Sequence, residues 1–117
     1  MKYSDQQRLQ KIYEKSSQLC QYISANHITE EALLTEVPLQ WLVTTPLYNI
    51  GEHVYSLSAE YKQAHSDVPW AMIAGLRHRL VHDYEGTNWT IIAKVLFEEL
   101  PIFKEQIKEL LAGAANQ

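Results

Sequence analysis

From Leu9 to Leu111 the apolar residues return at three- and four-residue steps, which is the spacing of helices burying one stripe each. Leu9, Ile12, Tyr13, Leu19, Cys20 and Ile23 form the first stripe, capped by Ser4 or Asp5 and ending at Asn26-His27. Thr29 before Glu30 and Glu31 predicts a short helical turn over 30–36, with acids at the positive end of its dipole. Leu39, Leu42, Val43, Leu47, Ile50, Val54, Leu57 and Tyr61 then span about 25 residues, close to 40 Å if unbroken. Pro46 lies within that run and lacks a backbone donor, so a kink or break is expected near Thr44-Thr45. Gly51 costs helix propensity there, and close approach of a neighbouring helix is its simplest reason. Ser66-Asp67 with Pro69 reads as a cap and first turn, continued on one face by Trp70, Ile73, Ala74, Arg77 and Val81. After a break around Gly86, a last helix is expected from near Asn88 to about Leu111, bent at Pro101, with Ile92, Val95, Leu96, Phe103, Ile107, Leu110 and Leu111 inward. The pattern predicts an all-α chain: an antiparallel bundle of four main helices plus one short extra helix, and almost no strand.

With 117 residues, no internal repeat and no low-complexity linker, residues 1–117 read as a single domain. No apolar run reaches the length of a membrane span, and the polar start Met1-Lys2-Tyr3-Ser4-Asp5-Gln6 is not that of a secretory signal, so a cytoplasmic protein with no membrane partner is expected. The single cysteine, Cys20, excludes an internal disulfide and a cysteine-based zinc site. The net charge of −4, from 10 Lys+Arg against 14 Asp+Glu, is wrong for broad adhesion to nucleic acid. A nucleic-acid role must rest on a local patch.

Such a patch stands at Arg77-His78-Arg79-Leu80-Val81-His82-Asp83-Tyr84, with two of the chain's three arginines and two of its five histidines. Imidazole titrates near neutrality, so His82 can accept a proton from a ribose hydroxyl or return one to a leaving oxygen. The guanidinium of Arg77 stays charged and planar, suited to holding a phosphate as charge gathers on its oxygens. His78 and Arg79 add electrostatic support for a bound phosphate, and Tyr84 offers a stacking face and a phenolic donor. These parts suffice for metal-independent cleavage of an RNA phosphodiester by its own 2′-hydroxyl. One obstacle is geometric: Arg77 and His82, five residues apart, point roughly 140° from each other on a regular helix. Either the helix loosens near Asp83 or the site combines two copies of the chain, whereas His78 and His82 share a face.

The stretch Trp70 to Tyr84, WAMIAGLRHRLVHDY, resembles the HEPN-domain proteins, specifically the HepT-like ribonuclease toxins. Their motif of Arg, four residues, His, any residue, Tyr matches Arg77, His82 and Tyr84. The residue after the arginine, often Asn in the family, is His78 here. Asn49-Ile50-Gly51-Glu52 resembles the family's second-helix pattern, and Leu100-Pro101 falls where its last helix often has a proline, so the likeness runs from about Asp5 to Leu111. The resemblance implies a HEPN-like bundle and a homodimer in which both copies of Arg77 and His82 meet in one cleft. It also implies a metal-independent endoribonuclease toxin of a type VII-like toxin–antitoxin pair. The cognate minimal nucleotidyltransferase antitoxin would use ATP and magnesium to place AMP on Tyr84, while the toxin itself needs no cofactor. An anionic adenylate at Tyr84 would block the cleft and repel RNA phosphates.

Plainer roles exist for the same residues. Arg77 could satisfy helix-terminal carbonyls or a carboxylate such as Glu52, His82 could complement a helix dipole, and Tyr84 could be an aromatic at the core's edge. Trp70 and Trp89 suit the core better than stacking on a ligand, and Cys20 suits an inert small hydrophobe. His78 and His82, with Glu52 or His53, have the spacing of a metal site but no fixed third ligand. The competing functional reading is a non-catalytic nucleotide- or substrate-binding partner of a nucleotidyltransferase, which would need no general base.

Overall fold

The computed structural model describes residues 2–81 and 86–115. The first helix, α1 (Asp5–Ala25), begins in a reciprocal cap. Ser4 Oγ accepts from the Gln7 N–H at 3.1 Å, and Gln7 Oε1 accepts from the Ser4 N–H at 2.8 Å. At its far end His27 takes a left-handed conformation, φ 52°, which turns the chain away. Helix α2 (Glu30–Thr35) is the expected short turn, capped by Thr29, whose hydroxyl accepts from the Ala32 N–H at 3.1 Å.

Helix α3 (Val37–Tyr55) runs through Pro46 without the break expected near Thr44-Thr45. Two residues before the proline, the Thr44 hydroxyl donates to the Gln40 carbonyl at 2.6 Å. The long stripe read as one element instead stops at Tyr55, and a second short helix, α4 (Ala59–Ala64), follows under the Ser58 cap. Asp5, one of two candidate caps for α1, has a longer-range role. Its carboxylate accepts from the Ser58 N–H at 2.9 Å and from the Ser58 hydroxyl at 2.7 Å, fastening the start of α4 to the start of α1.

Helix α5 (Trp70–Val81) starts directly after Pro69, with the Trp70 indole donating to the His65 carbonyl at 2.9 Å. The last helical segment opens at Asn88, whose side chain accepts from Thr90 and Ile91. It comprises α6 (Trp89–Lys94), a π-helical turn (Val95–Glu99) and α7 (Leu100–Ala115). In that turn the Leu100 N–H bonds to the Val95 carbonyl, five residues back. Pro101, with no N–H to continue the ordinary ladder, comes immediately after it, so the expected bend at Pro101 takes the form of a widened turn just upstream.

The architecture is all-α, with no strand among the described residues, and no helix there is long and apolar enough to cross a membrane. Helix α3 is the central element: it packs most extensively on α5 and also on α1, and α1 packs in turn on α7. Leu9, Ile12 and Leu19 of α1, Val43, Leu47, Ile50 and Val54 of α3, and Leu100, Phe103 and Ile107 of the last segment are buried together. Each such side chain removed from water contributes roughly 1.5–3 kcal/mol. Trp70 is buried, edge-on to Phe103, and Trp89 packs against the same core. Leu42 departs from its expected place and is 38% exposed. It stands about 100° round α3 from Val43, to one side of the buried stripe at 43, 47, 50 and 54. Leu76 and Leu80 complete the inward face of α5, which the sequence stripe through Ala74 and Arg77 had put one position away.

Candidate functional site

The described part of the basic segment, residues 77–81, forms the C-terminal end of α5. Leu76 and Leu80 are buried one turn apart, which leaves His78 and Arg79 exposed and Arg77 at the boundary, against α3. His78 and Arg79, expected as electrostatic support for a phosphate, therefore face solvent. His82 and Tyr84, expected as the acid–base group and the modification site, lie outside the described residues, so the relation of His82 to Arg77 and to His78 does too.

Arg77 is the best-defined member of the site. Its Nη1 donates to Glu52 Oε1 at 3.2 Å, with Oε2 of the same carboxylate at 3.5 Å. Its Cζ lies 3.7 Å from the centre of the Tyr55 ring, a close cation–π stack. Glu52 and Tyr55 are three residues apart on α3, hence on one side of that helix, and together they hold the guanidinium plane from its edge and its face. One plainer role proposed for Arg77, pairing with Glu52, is thus observed. It is compatible with phosphate binding, because an arginine carries five N–H donors and the carboxylate engages one nitrogen. At 33% side-chain exposure the guanidinium is still reachable from solvent.

Gly51 lets this happen. A β-carbon there would stand 3.0 Å from the Arg77 backbone nitrogen, 3.2 Å from the Ile73 carbonyl oxygen and 3.3 Å from Arg77 Cβ. The helix–helix approach anticipated for Gly51 is therefore the α3–α5 contact, and it is made at Arg77 itself. Beyond the C-terminal turn of α5, the Thr87 hydroxyl donates to the Arg79 carbonyl at 3.3 Å.

Sequence reasoning named Glu52 as a partner but missed Tyr55, because nothing in linear spacing announces which aromatic will lie under an arginine 22 residues away. His53, a candidate metal ligand, points its Nδ1 at Arg8 Nη1, 3.1 Å away, rather than towards a further ligand. Cys20 is half-buried, and burial pushes its thiol above the ordinary value despite the nearby charge of Lys104, as befits an unreactive apolar residue.

A family model described as HepT-like ribonuclease matches residues 7–110, nearly the whole chain and including every element that builds this site. Among curated relatives, a candidate RNase of Caldanaerobacter subterraneus subsp. tengcongensis is 45% identical over 62 residues, covering 53% of this chain and 55% of that protein. A candidate RNase of Methanocaldococcus jannaschii is 31% identical over 86 residues, covering 74% of this chain and 71% of the other. A protein of Thermococcus cleftensis named as a probable ribonuclease HepT is 29% identical over 80 residues, covering 68% and 73%. No solved structure matches the chain.

Proposed function

Since the chain belongs to the HepT-like ribonuclease family, we propose that it is a metal-independent endoribonuclease toxin whose chemistry is carried by Arg77 and His82. The observation that supports this most is the mounting of Arg77. A guanidinium stacked on Tyr55 and tethered by Glu52 is held in one orientation before any substrate arrives, and preorganised charge is what stabilises a phosphorane-like transition state.

In the proposed reaction the ribose 2′-oxygen forms a bond to phosphorus as the bond from phosphorus to the 5′-oxygen breaks. His82 takes the 2′-hydroxyl proton or supplies one to the departing 5′-oxygen. Two histidines, one from each copy of a homodimer, can divide those tasks, and pairing of copies would also relieve the roughly 140° separation that a regular helix would give residues five apart, such as Arg77 and His82. Arg77 neutralises charge on the non-bridging oxygens, and the exposed His78 and Arg79 attract the flanking phosphates. The same reading assigns Tyr84 as the residue to which a cognate nucleotidyltransferase antitoxin transfers AMP from ATP, releasing pyrophosphate, and places the protein in the cytoplasm.

The test is incubation of a mixed RNA pool with the wild type and with His82→Ala in EDTA. Cleavage by the wild type alone supports the assignment, and cleavage by both removes His82 from the chemistry. If neither cleaves and intact mass shows Tyr84 unmodified, the competing reading as a non-catalytic nucleotide-binding partner of a transferase takes its place. Tyr84→Phe is expected to stay active and to escape the transferase.

A further inference from the structure

Three of the chain's ten Lys and Arg residues, Arg8, Lys11 and Lys15, fall at the i, i+3, i+7 spacing of one helix face on α1. That face meets α3 at His53 and Asn49, and between the two helices lies a cavity of about 250 Å³ lined by Lys11, Lys15, Gln18, Asn49 and His53, with Tyr3 at its edge. The lining is mostly polar, in contrast to the apolar clefts beside Leu42 and Pro46 and beside Ile28 and Pro101. Among the described residues none of Arg8, Lys11 or Lys15 makes an ion pair. Glu14 is the one carboxylate lining the cavity, and one of its oxygens already accepts from Gln10 Nε2 at 3.1 Å.

The histidine is set up as a donor. Arg8 has no acceptor to offer, so His53 Nδ1 must accept from Arg8 Nη1 across their 3.1 Å contact, and the neutral ring carries its proton on Nε2. Burial, Arg8, Lys11 and Lys15 all hold the imidazole neutral, against the weaker pull of Glu52. Tyr3 stands edge-on to His53 at 5.8 Å, with Lys11 Nζ 4.8 Å from its ring centre, so the rim of the cavity is also braced. A cluster of cations and neutral donors with little opposing charge is the chemistry of a phosphate site, and Gln18 and Asn49 add donors for ester oxygens.

We propose that this α1–α3 groove is a phosphate subsite that holds the backbone of a single-stranded RNA substrate away from the bond being cut. The proposal rests on the reading of the chain as a ribonuclease, and it is joined to the Arg77 site through α3. Glu52, which tethers Arg77, and His53, which lines the groove, are successive residues about 100° apart around that helix. A strand crossing α3, whose diameter with side chains is about 10–12 Å, therefore reaches both. A flexible single strand can make that crossing, whereas the net charge of −4 disfavours broad contact with a stiff duplex.

The test is fluorescence anisotropy of a short, labelled, mixed-sequence single-stranded RNA in EDTA, with every protein carrying His82→Ala so that the probe stays intact. Lys11→Ala/Lys15→Ala is compared with Lys94→Ala/Lys108→Ala, which removes the same charge from exposed positions on α6 and α7. The first pair is expected to weaken binding about tenfold or more and to flatten the dependence of log Kd on log salt by about 1.4, at about 0.7 per lost phosphate contact on a single strand. The control pair should change Kd by less than about twofold, the residual expected of long-range screening alone. Equal effects of the two pairs, with unchanged circular dichroism, overturn the subsite. So does a Lys11/Lys15 dependence seen for AMP or inorganic phosphate but not for RNA. Cleavage by the wild type alongside RNA binding indifferent to Lys11 and Lys15 overturns the subsite and leaves the ribonuclease standing. Absence of cleavage alongside lysine-dependent RNA binding does the reverse.

Discussion

Glu52 Oε1 accepts from Arg77 Nη1 at 3.2 Å, across 25 residues of sequence and between the two helices that pack most extensively on each other. Both side chains are about one-third exposed, so the pair contributes less than about 1 kcal/mol to stability. Its value lies in orientation. Tyr55 fixes the plane of the guanidinium and Glu52 fixes its rotation within that plane, which leaves the remaining N–H groups with a set direction.

Glu52→Gln should accordingly separate activity from stability. The amide keeps the volume and one acceptor oxygen but loses the charge that anchors Arg77. Thermal unfolding should shift by only about 1–3 °C, consistent with an exposed ion pair. RNA cleavage should fall about tenfold or more, mainly in kcat, because a mobile guanidinium loses preorganisation before it loses affinity. An unchanged kcat would show that Arg77 needs no tether.

Gly51 and Gly75 make an internally controlled pair. At Gly51 an added β-carbon meets backbone atoms of α5 at 3.0 and 3.2 Å, and backbone does not rotate away. Gly51→Ala is expected to destabilise by about 1–3 kcal/mol despite its gain in helix propensity, and to reduce cleavage by shifting α5 under Arg77. At Gly75 nothing lies within 4 Å of the same position. Gly75→Ala should therefore stabilise by up to about 1 kcal/mol, its propensity gain unopposed. Urea unfolding of the two variants checks both signs together.

The parts of the molecule legible from sequence are those set by local periodicity and capping. The Thr29 cap, the helix start near Asn88, the buried stripe of α3 apart from Leu42 and the close approach at Gly51 follow from residue type and spacing alone. The errors have a common physical origin, since each involves a competition that only packing resolves. Pro46 was expected to threaten α3 because an internal proline removes a hydrogen bond, yet tertiary contacts on both sides of α3 sustain the helix through it. The long stripe divides after Tyr55 because a new helix starts under the Ser58 cap, and that cap is held by Asp5 from 53 residues away. At the site, the Arg77–Glu52 pair was one option among several in the sequence, while the stack on Tyr55 and the Arg8–His53 contact depend on how helices rotate about their axes, which hydrophobic spacing fixes only to within a residue.

Asp5→Ala is expected to loosen the α1–α4 junction without touching the cap of α1, which belongs to Ser4. Two hydrogen bonds to a carboxylate are lost at an exposed position, so the cost should be about 1–2 kcal/mol. Hydrogen exchange should speed up at Ser58 and through α4 while the centre of α1 keeps its protection. Ser4→Ala should instead cost about 1 kcal/mol and speed exchange in the first turn of α1. Identical exchange patterns from the two variants would show that cap and clasp are one cooperative unit.

His53 gives the fold a pH dependence whose sign follows from its surroundings. Burial first, then Arg8 and Lys11, hold its imidazole below the ordinary value of 6.5, with Glu52 opposing them. The unfolded chain therefore binds a proton at this residue more readily than the folded one, and stability from this group rises with pH. Its contribution is present in full above pH 6.5 and is lost as pH falls from there through the lower folded value. Protonation would also place a charge on Nδ1 opposite Arg8, breaking the contact at 3.1 Å. His53→Asn retains an acceptor near Arg8 and removes the titration. Urea unfolding of the wild type should therefore lose stability between about pH 7.5 and 5.5, and the variant should lose less over the same interval. Parallel pH profiles for the two proteins would show that Arg8, Lys11 and Lys15 do not act on His53 in the folded state, and with that the electrostatic description of the α1–α3 groove would fail.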